Sequence, residues 1–258
     1  MPAPRNDLKL RLQQGQATVG LWLSLASPAA AEIAGAAGFD WCLVDAEHAP
    51  NTAQTLQAQL QALAATGCPA LIRVPVNEAW VIKQAMDLGC ASILIPMVHD
   101  ADDAARAAAA CRYPPAGVRG LGAAIARAAR WGAIPDYAVT ANDQALCIVQ
   151  AESAAATANI DAIAATPGVD GVFIGPSDLA ADMGLIGQPG HPDVQAAIAH
   201  IAARTRAAGK VAGIMSFDPA AHAGLLAQGF TLLATGAEST VLTRALADLA
   251  QTAQSAKT

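Results

Sequence analysis

The sequence predicts a single (β/α)8 barrel domain. The chain has 258 residues, which is close to the usual size of such a barrel. Eight short apolar and β-branched runs alternate with Ala-rich helical runs. These runs lack strict polar–apolar alternation, as expected for parallel strands covered by helices. A doubly wound sheet is the competing arrangement, but no Gly-rich phosphate loop follows the first predicted strand, where LASPAAAE stands instead.

The elements follow in order along the chain. Strands are predicted at residues 18–25, 39–48, 70–75, 92–98, 145–152, 171–176, 211–216 and 230–236. Helices are predicted between them at PAAAEIAGAA, TAQTLQAQLQALAAT, EAWVIKQAMDLG, DADDAARAAAACR, AATANIDAIAAT, VQAAIAHIAARTRAAG and PAAHAGLLAQG, with a last helix from about Ser239. Many helical runs end at a glycine, the residue that typically follows a helix C-terminus.

One segment departs from the strand–helix repeat. Residues 112–143 separate the fourth predicted helix from the fifth strand and contain prolines, glycines and four arginines. We expect a long loop with a short helix, located at the active-site rim or at a subunit interface. No linker or low-complexity tail divides the chain, so residues 1–258 are predicted to form one domain.

Composition narrows the class of protein. The chain is 54% hydrophobic and 14% charged, has a net charge of -6, and shows no Lys/Arg cluster. Nucleic acid is therefore not expected as a partner. Five cysteines without a CxxC pair indicate free thiols in a reducing compartment. The N-terminus has no apolar signal region, and the long uncharged stretches are too polar to cross a bilayer. We expect a soluble cytoplasmic protein with no membrane contact.

Ionisable residues concentrate where the predicted strands end. Catalytic groups of a barrel gather at the carboxyl ends of its strands. The residues found there are Asp45, Glu47, His48, Arg73, Glu152 and Asp178. This convergence predicts an active site at that end of the barrel.

Glu152 and Asp178 follow consecutive predicted strands. Neighbouring strands are about 4.8 Å apart, so two carboxylates at their ends can share one cation. Two carboxylates with water and substrate oxygens suit Mg²⁺ or Mn²⁺, and the absence of a nearby histidine disfavours zinc. The alternatives are an N-cap role for Asp178 and a solvated loop carboxylate for Glu152.

His48 is the candidate general base, because it is the only histidine in this set of residues and imidazole titrates near neutral pH. The alternative is a histidine with a structural role. Asp87 is a candidate partner that would raise the basicity of His48. It lies in the last turn of a helix, where a carboxylate interacts unfavourably with the helix dipole. A functional role, such as pairing with His48, would explain why an acidic residue occurs there. The alternative is that Asp87 is a surface residue without a function, tolerated at a small cost in stability.

Arg73 could pair with Asp45 at the edge of the core, or hold a substrate carboxylate or developing oxyanion. The chain has only Lys9, Lys83, Lys210 and Lys257, and none ends a predicted strand. A Schiff-base aldolase needs a lysine there. Carbanion chemistry in this barrel would therefore need a metal ion as Lewis acid.

Long ordered motifs resemble a known family. They include GLWLSL, GFDWCLVDAEHAPN, IRVP, IKQAMDLG, ILIPMV, RYPPAGVRGLG, ARWGAIPDY, GVDGVFIGPSDLAADMG and HPDVQAAI. The chain resembles the HpcH/HpaI family of metal-dependent pyruvate aldolases, from about Gly20 to the last helix, and is most similar to members acting on 4-hydroxy-2-oxoheptanedioate. The resemblance implies a (β/α)8 barrel, a homohexamer built as a dimer of trimers, and a last helix exchanged between subunits.

The same resemblance implies a reaction. Family members reversibly cleave 4-hydroxy-2-oxo acids, such as 4-hydroxy-2-oxoheptanedioate, to pyruvate and an aldehyde, with Mg²⁺, Mn²⁺ or Co²⁺. Matched by motif, His48 is the general base, Asp87 the acid that raises its basicity, and Arg73 the transition-state stabiliser.

Further positions carry over in the same way. Glu152 and Asp178 match the metal ligands. Gln150 and Ser177 match pyruvate contacts, the latter through its backbone N–H. Asp45 and Glu47 are expected to orient Arg73 and metal-bound waters. Family members often carry Gly at Ala46 and Ala at Ser177, which affects fine specificity.

Two other functions stay open from the sequence. One is a lyase for CoA thioesters such as malyl-CoA, although no basic nucleotide site is evident and the chain is short for that group. The other is a non-catalytic oligomer that binds 2-oxo acids. The aldehyde is also open: succinic semialdehyde, lactaldehyde or tartronate semialdehyde would each suit a family member.

Overall fold

Eight parallel strands close into a barrel, each hydrogen-bonded to the next in sequence and the last to the first. The structure is a computed structural model that describes residues 1–257. Its strands are β1 Thr18–Leu23, β2 Trp41–Asp45, β3 Ala70–Arg73, β4 Ser92–Ile95, β5 Leu146–Ala151, β6 Gly171–Ile174, β7 Val211–Met215 and β8 Leu232–Ala237. The predicted fold class is confirmed, and each observed strand overlaps a predicted one.

Helices cover the outside of the barrel. They are α1 Asp7–Gln13, α2 Pro28–Ala36, α3 Ala53–Thr66, α4 Ala79–Asp87, α5 Ala101–Ala110, α6 Tyr137–Gln144, α7 Ala154–Ala158, α8 Ile160–Ala165, α9 Pro176–Asp182, α10 Pro192–Ala207, α11 Pro219–Ala227 and α12 Glu238–Ser255, with a 3-10 turn at Arg127–Ala129. The one helix predicted from AATANIDAIAAT is two, because α7 ends and α8 begins at Asn159.

Large side chains fill the inside of the barrel. Trp41 of β2 lies opposite Gly20 of β1, and a Cβ on Gly20 would stand 2.1 Å from the Trp41 ring. Glycine therefore makes room for the indole. The indole N–H donates to the hydroxyl of Thr18 at 3.1 Å, so the buried donor is satisfied. Because side chains fill the interior of the barrel, an active site can form only at the ends of the strands.

Helix α1 was not predicted and closes the amino end of the barrel. Asn6 caps it by accepting from the backbone N–H of Lys9 at 3.1 Å. Leu8 and Leu12 are buried and pack with Trp22, Trp41 and the other residues inside the barrel. The helix has only two buried apolar positions, too few to stand out as a periodic pattern.

Residues 112–143 lie beside α4 and the amino end of the barrel. The guanidinium of Arg119 donates to Asp87 at the end of α4 at 2.6 Å, and that of Arg127 donates to the Leu88 carbonyl at 2.6 Å. Helix α6 then leads into β5. Within this chain, these contacts lie at the end of the barrel opposite Arg73. The predicted location at the active-site rim or at a subunit interface stays a prediction.

Within residues 1–257, no helix has both the length and the apolar character needed to traverse a bilayer. All five cysteines are free and buried. Helix α12 has no buried residue, although Leu242, Leu246 and Leu249 project from it and are 49%, 56% and 66% exposed. Its exchange between subunits stays a prediction.

Candidate active site

The carboxyl ends of β2 and β3 meet in an ion pair. Asp45 is the last residue of β2, Arg73 is the last residue of β3, and the two face each other in the strand register. Arg73 donates from Nε to Oδ1 of Asp45 at 2.8 Å and from Nη2 to Oδ2 at 2.6 Å. This two-point geometry fixes the plane of the guanidinium. The pairing with Asp45 that was weighed from the sequence is therefore confirmed.

Asp45 also orders the loop that follows β2. Its Oδ1 accepts from the backbone N–H of Glu47 at 3.0 Å and of His48 at 3.4 Å, and its carbonyl accepts from the Asn51 side chain at 2.6 Å. Burial raises the pKa of Asp45, but hydrogen bonds from Arg73 and its charge outweigh burial and leave the pKa below its ordinary value. The strand ends at Asp45, so Glu47 and His48 belong to a loop, and the predicted strand 39–48 was too long.

Two further groups hold Arg73 in place. Nη1 of Arg73 lies 2.9 Å from the Glu47 carboxylate. The guanidinium carbon lies 5.0 Å from the ring centroid of Trp22, within cation–π distance. Trp22 lies near the end of β1 and is 5% exposed. Sequence reasoning missed it because only ionisable residues at strand ends were considered. An aromatic residue at the end of a barrel strand was the available signal.

Glu152 lies directly after β5 and is 4% exposed. Its Oε1 accepts from the backbone N–H of Met97 at 2.8 Å, and its Oε2 accepts from the Gln150 side chain. A Cβ on Gly175 would stand 2.6 Å from Oε2, so glycine leaves space beside the carboxylate. Burial, reinforced by the charges of Asp178 and Glu47, raises the pKa of Glu152 to about 7.

Asp178 lies in the first turn of α9, beside β6. The N-cap of that helix is Gly175, so the alternative reading of Asp178 as an N-cap is wrong. Within residues 1–257 its side chain makes no hydrogen bond. Its negative charge raises the pKa of both Glu152 and Glu47. Burial is the largest cause of the raised pKa of Glu47, against the charges of Arg73 and His48.

The site carries excess negative charge that a cation would neutralise. The charges of Asp45, Glu47 and Glu152 act on the single guanidinium of Arg73. Asp178 adds a fourth carboxylate, which acts on Glu47 and Glu152. The buried Oε1 of Gln150 has no hydrogen-bond partner among residues 1–257. Among the described residues no group of three or more His, Cys, Asp or Glu side chains has metal-ligand geometry. The residues therefore fit a hard cation held by two carboxylates, with water and substrate oxygens as the remaining ligands.

His48 and Asp87 do not meet within one chain. The His48 side chain is 66% exposed and lies 3.9 Å from the Glu47 carboxylate. Helix α4 runs back from the end of β3 that carries Arg73, so Asp87 in its last turn lies toward the amino end of the barrel. There its carboxylate accepts from the guanidinium of Arg119, which is 2% exposed and lies 4.4 Å from the Tyr113 ring.

The remaining predicted residues lie near Glu152. Gln150 is buried in β5 and donates to Glu152. Ser177 lies in the first turn of α9, where backbone N–H groups have no partner within the helix. The structure thus brings eight predicted residues to one end of the barrel: Asp45, Glu47, His48, Arg73, Gln150, Glu152, Ser177 and Asp178. Asp87 is the exception.

Similarity to known proteins agrees with this fold. Residues 18–245 match the model of the HpcH/HpaI aldolase/citrate lyase family. A hydroxypyruvate/pyruvate aldolase of Pseudomonas aeruginosa is 49% identical over 97% of this chain and 93% of its own length. A 4-hydroxy-2-oxo-heptane-1,7-dioate aldolase of Salmonella dublin is 48% identical over 95% of this chain and 94% of its own.

A solved structure is also similar. A crystal structure of an HpcH/HpaI aldolase/citrate lyase family protein from Burkholderia cenocepacia J2315 superposes with a TM-score of 0.93 and 41% identity, covering 96% of this chain and 99% of that one. The relatives of this chain are aldolases, which places it in the class of carbon–carbon lyases. The chain belongs to the HpcH/HpaI aldolase/citrate lyase family, as the sequence motifs predicted.

Proposed function

We propose that this enzyme reversibly cleaves 4-hydroxy-2-oxo acids, such as 4-hydroxy-2-oxoheptanedioate, to pyruvate and an aldehyde such as succinic semialdehyde. The observation that carries the proposal is the unbalanced carboxylate cluster beside Arg73. Four carboxylates around one guanidinium suit a divalent cation and a carboxylate-bearing substrate that shares it. The relatives named for pyruvate and heptanedioate substrates support the same chemistry.

Glu152 and Asp178 would hold the divalent cation, with Mg²⁺, Mn²⁺ or Co²⁺ as candidates. Such an ion would act as a Lewis acid that stabilises negative charge developing on a 2-oxo acid. Met97 and Gln150 orient the Glu152 carboxylate by donating one hydrogen bond to each of its oxygens. Oriented ligands of this kind keep a hard-cation site in one geometry.

The protein side chains would handle the substrate and its proton. Arg73, fixed by Asp45 and Glu47, would donate to the substrate oxygen on which charge develops. The backbone N–H of Ser177 and the side chain of Gln150 would bind the carboxylate of pyruvate. His48 would take the proton of the C4 hydroxyl as the C3–C4 bond breaks.

The basicity of His48 would come from Asp87 of another subunit. Within one chain His48 is largely exposed, and Asp87 lies toward the opposite end of the barrel. The predicted pairing can therefore form only where the α4 end of one subunit meets the β2 loop of the next. Large apolar side chains are exposed beside Asp87, as expected for a subunit contact: Trp80, Ile125 and Trp131. A homohexamer, as the family resemblance implies, would provide such contacts.

Exchange of pyruvate protons tests the proposal without knowledge of the aldehyde. The protein is incubated with pyruvate in D₂O, and loss of the methyl proton NMR signal is followed with EDTA and then with Mg²⁺, Mn²⁺ or Co²⁺. Exchange that requires a metal ion supports enolate chemistry. No exchange with any metal would favour a CoA-thioester lyase or a non-catalytic 2-oxo-acid binder, and a screen with malyl-CoA would separate those two.

A matched pair of variants on α9 sharpens the test. Asp178→Asn should abolish metal-dependent exchange, because one of two proposed metal ligands loses its charge. Asp182→Asn, four residues further along the same helix, should leave exchange unchanged, because Asp182 accepts only from the backbone N–H of Ala154. Full exchange by Asp178→Asn would contradict the proposed metal site.

We also propose a cytoplasmic location, supported by five unpaired cysteines.

A further inference from the structure

Two cysteines far apart in sequence are neighbours at the amino end of the barrel. The sulfur of Cys68 lies 3.8 Å from the sulfur of Cys42, 26 residues away. Cys42 belongs to β2, and its backbone N–H donates to the carbonyl of Pro69 at 2.9 Å. The strand pairing therefore holds the backbones of the two residues side by side. A disulfide is about 2.05 Å long, so the sulfurs need to approach by less than about 2 Å.

The two cysteines differ in their depth of burial, because Cys68 is 8% exposed and Cys42 is 0% exposed. Cys68 lines an open cavity of about 310 Å³ at the amino end of the barrel, together with Pro4, Leu63, Cys90 and Arg127. Cys42 is fully buried behind it and does not line that cavity. A small oxidant would therefore meet Cys68 first, with Cys42 in contact on its inner side.

The pKa shifts of the two thiols also favour Cys68 as the first to react. The hydrogen bond between the thiols lowers the pKa of Cys68 and is the largest cause of the raised pKa of Cys42, with burial of Cys42 adding to it. The more exposed sulfur is thus the better nucleophile, because the thiolate is the reactive form.

We propose that Cys68 and Cys42 form a peroxide-oxidisable dithiol, with Cys68 as the attacking thiol and Cys42 as the resolving thiol. The Cys68 thiolate attacks one oxygen of a hydroperoxide, giving a sulfenic acid and releasing hydroxide or alkoxide. The Cys42 sulfur then attacks the Cys68 sulfur, forming the S–S bond and expelling the oxygen as water. Overall, two thiols and one hydrogen peroxide give one disulfide and two waters. A dithiol reductant reverses the change.

The other cysteines of the chain serve as internal controls. Cys90 lines the same cavity, but burial raises the pKa of its thiol to about 12. Cys111 and Cys147 form a second interacting pair, but both are buried, with exposures of 1% and 0%. The proposal therefore predicts that only Cys42 and Cys68 are oxidised. If closeness of two sulfurs were sufficient, the Cys111–Cys147 pair would be oxidised as well. If access to the cavity were sufficient, Cys90 would be oxidised as well.

Mass spectrometry of the intact protein tests this selectivity. The metal-free protein is treated with a few equivalents of hydrogen peroxide, denatured, alkylated and digested. We expect loss of two hydrogens, a Cys42–Cys68 cross-linked peptide, and alkylation at Cys90, Cys111 and Cys147 undiminished. Cys68 should lose its reactivity toward the alkylating reagent before Cys90 does, because burial raises the pKa of Cys90 to about 12. Dithiothreitol should restore the starting mass.

Two variants separate the roles of the two sulfurs. Cys42→Ala should stop at a Cys68 sulfenic acid that dimedone traps, and Cys68→Ala should leave Cys42 unoxidised. If a variant does not fold, the cross-linked peptide from the wild-type protein still decides the question. Oxidation of Cys90 or of the Cys111–Cys147 pair before Cys68, or no cross-link between Cys42 and Cys68, would overturn the proposal.

Discussion

Arg73 illustrates how a single residue links the fold to the chemistry. Its backbone ends β3, its side chain pairs with the end of β2, and its guanidinium lies beside the Trp22 ring. A planar guanidinium held by two hydrogen bonds does not reorient during the reaction. Any stabilisation that it gives to the transition state therefore comes from an orientation that is already present before the reaction. The sequence predicted the residue and its partner because both end strands. The aromatic contact depends on the barrel closing and was not predictable from spacing.

Replacing Arg73 by lysine tests this fixed geometry. Lysine keeps the positive charge but lacks the planar fork of N–H donors that pairs with the two oxygens of Asp45, so its ammonium group has no fixed orientation. We expect kcat for aldol cleavage to fall by about 10²–10³-fold, the usual effect of losing one oriented donor.

The control for this variant is Arg204→Lys, which alters a surface pair. Arg204 also donates to both oxygens of an aspartate, Asp161, and the two side chains are 48% and 64% exposed. Its kcat should be unchanged. Circular dichroism should show both variants folded. A kcat for Arg73→Lys within about twofold of wild type would rule out the oriented-donor role.

Glu152 predicts an unusual dependence of stability on pH in the metal-free protein. Its ordinary pKa of 4.5 is raised to about 7 in the folded state. Between these values the folded protein binds a proton that the unfolded chain has released, so stability falls as pH rises through this window. The loss is complete above about pH 7 and amounts to at most about 3 kcal/mol.

Glu152→Gln should therefore stabilise the metal-free protein at pH 8 but not at pH 5. The glutamine still accepts from the Met97 N–H, and a rotation of the Gln150 amide would present its unpaired Oε1 to the new side chain. Urea denaturation in EDTA at both pH values measures the difference. Adding Mg²⁺ should stabilise the wild type and not the variant. An equal stability difference at pH 5 and pH 8 would exclude the titration of Glu152 as its cause.

Among the strands and helices, the elements with a clear hydrophobic pattern in the sequence were the ones that could be predicted. Each strand of the barrel was identified because a covered parallel strand is an apolar run between helices. Strand ends were less certain: residues 46–48 continue the predicted strand, yet Asp45 accepts from two backbone N–H groups there and turns the chain. Helix α1 was missed because its stability comes from tertiary contacts of two leucines rather than from local periodicity.

Leu8 and Leu10 offer a matched test of α1 within one helix. Leu8 is fully buried under the barrel, whereas Leu10 is 38% exposed. We expect Leu8→Ala to lower the free energy of unfolding by about 2–5 kcal/mol, the usual cost of removing a buried leucine side chain. Leu10→Ala should cost at most about 0.5 kcal/mol. Chemical denaturation measures both, and equal losses would mean that α1 does not close the barrel in solution.

Helix α12 presents an apolar stripe with nothing packed on it in the single chain. Leu242, Leu246 and Leu249 recur at helical spacing and are between 49% and 66% exposed. If the helix packs on another subunit, Leu246→Glu should reduce the molar mass measured by light scattering after size exclusion. Gln251→Glu on the opposite face should not. An unchanged assembly in Leu246→Glu would exclude α12 as an interface.

At the scale of the whole molecule, the predicted site residues are divided between two ends of the barrel. Most of the predicted residues converge around Arg73 and Glu152, but Asp87 is held by Arg119 toward the other end. Sequence motifs matched both halves equally well, because motif similarity carries no information on which copy of the chain supplies a residue. A symmetric assembly would reunite the halves by placing the α4 end of one subunit against the β2 loop of the next.

Mixed assemblies test this sharing of residues. His48→Ala and Asp87→Ala subunits should each be nearly inactive alone, because each homo-oligomer lacks one member of the pair at every site. When the two are co-expressed with different tags and the hybrids are isolated, a site formed by an intact His48 and a neighbour's intact Asp87 is complete. With random assembly, activity should return to about a quarter of wild type per site. If both residues of a site came from one chain, every site in the hybrid would stay defective, and activity would not exceed that of the single variants.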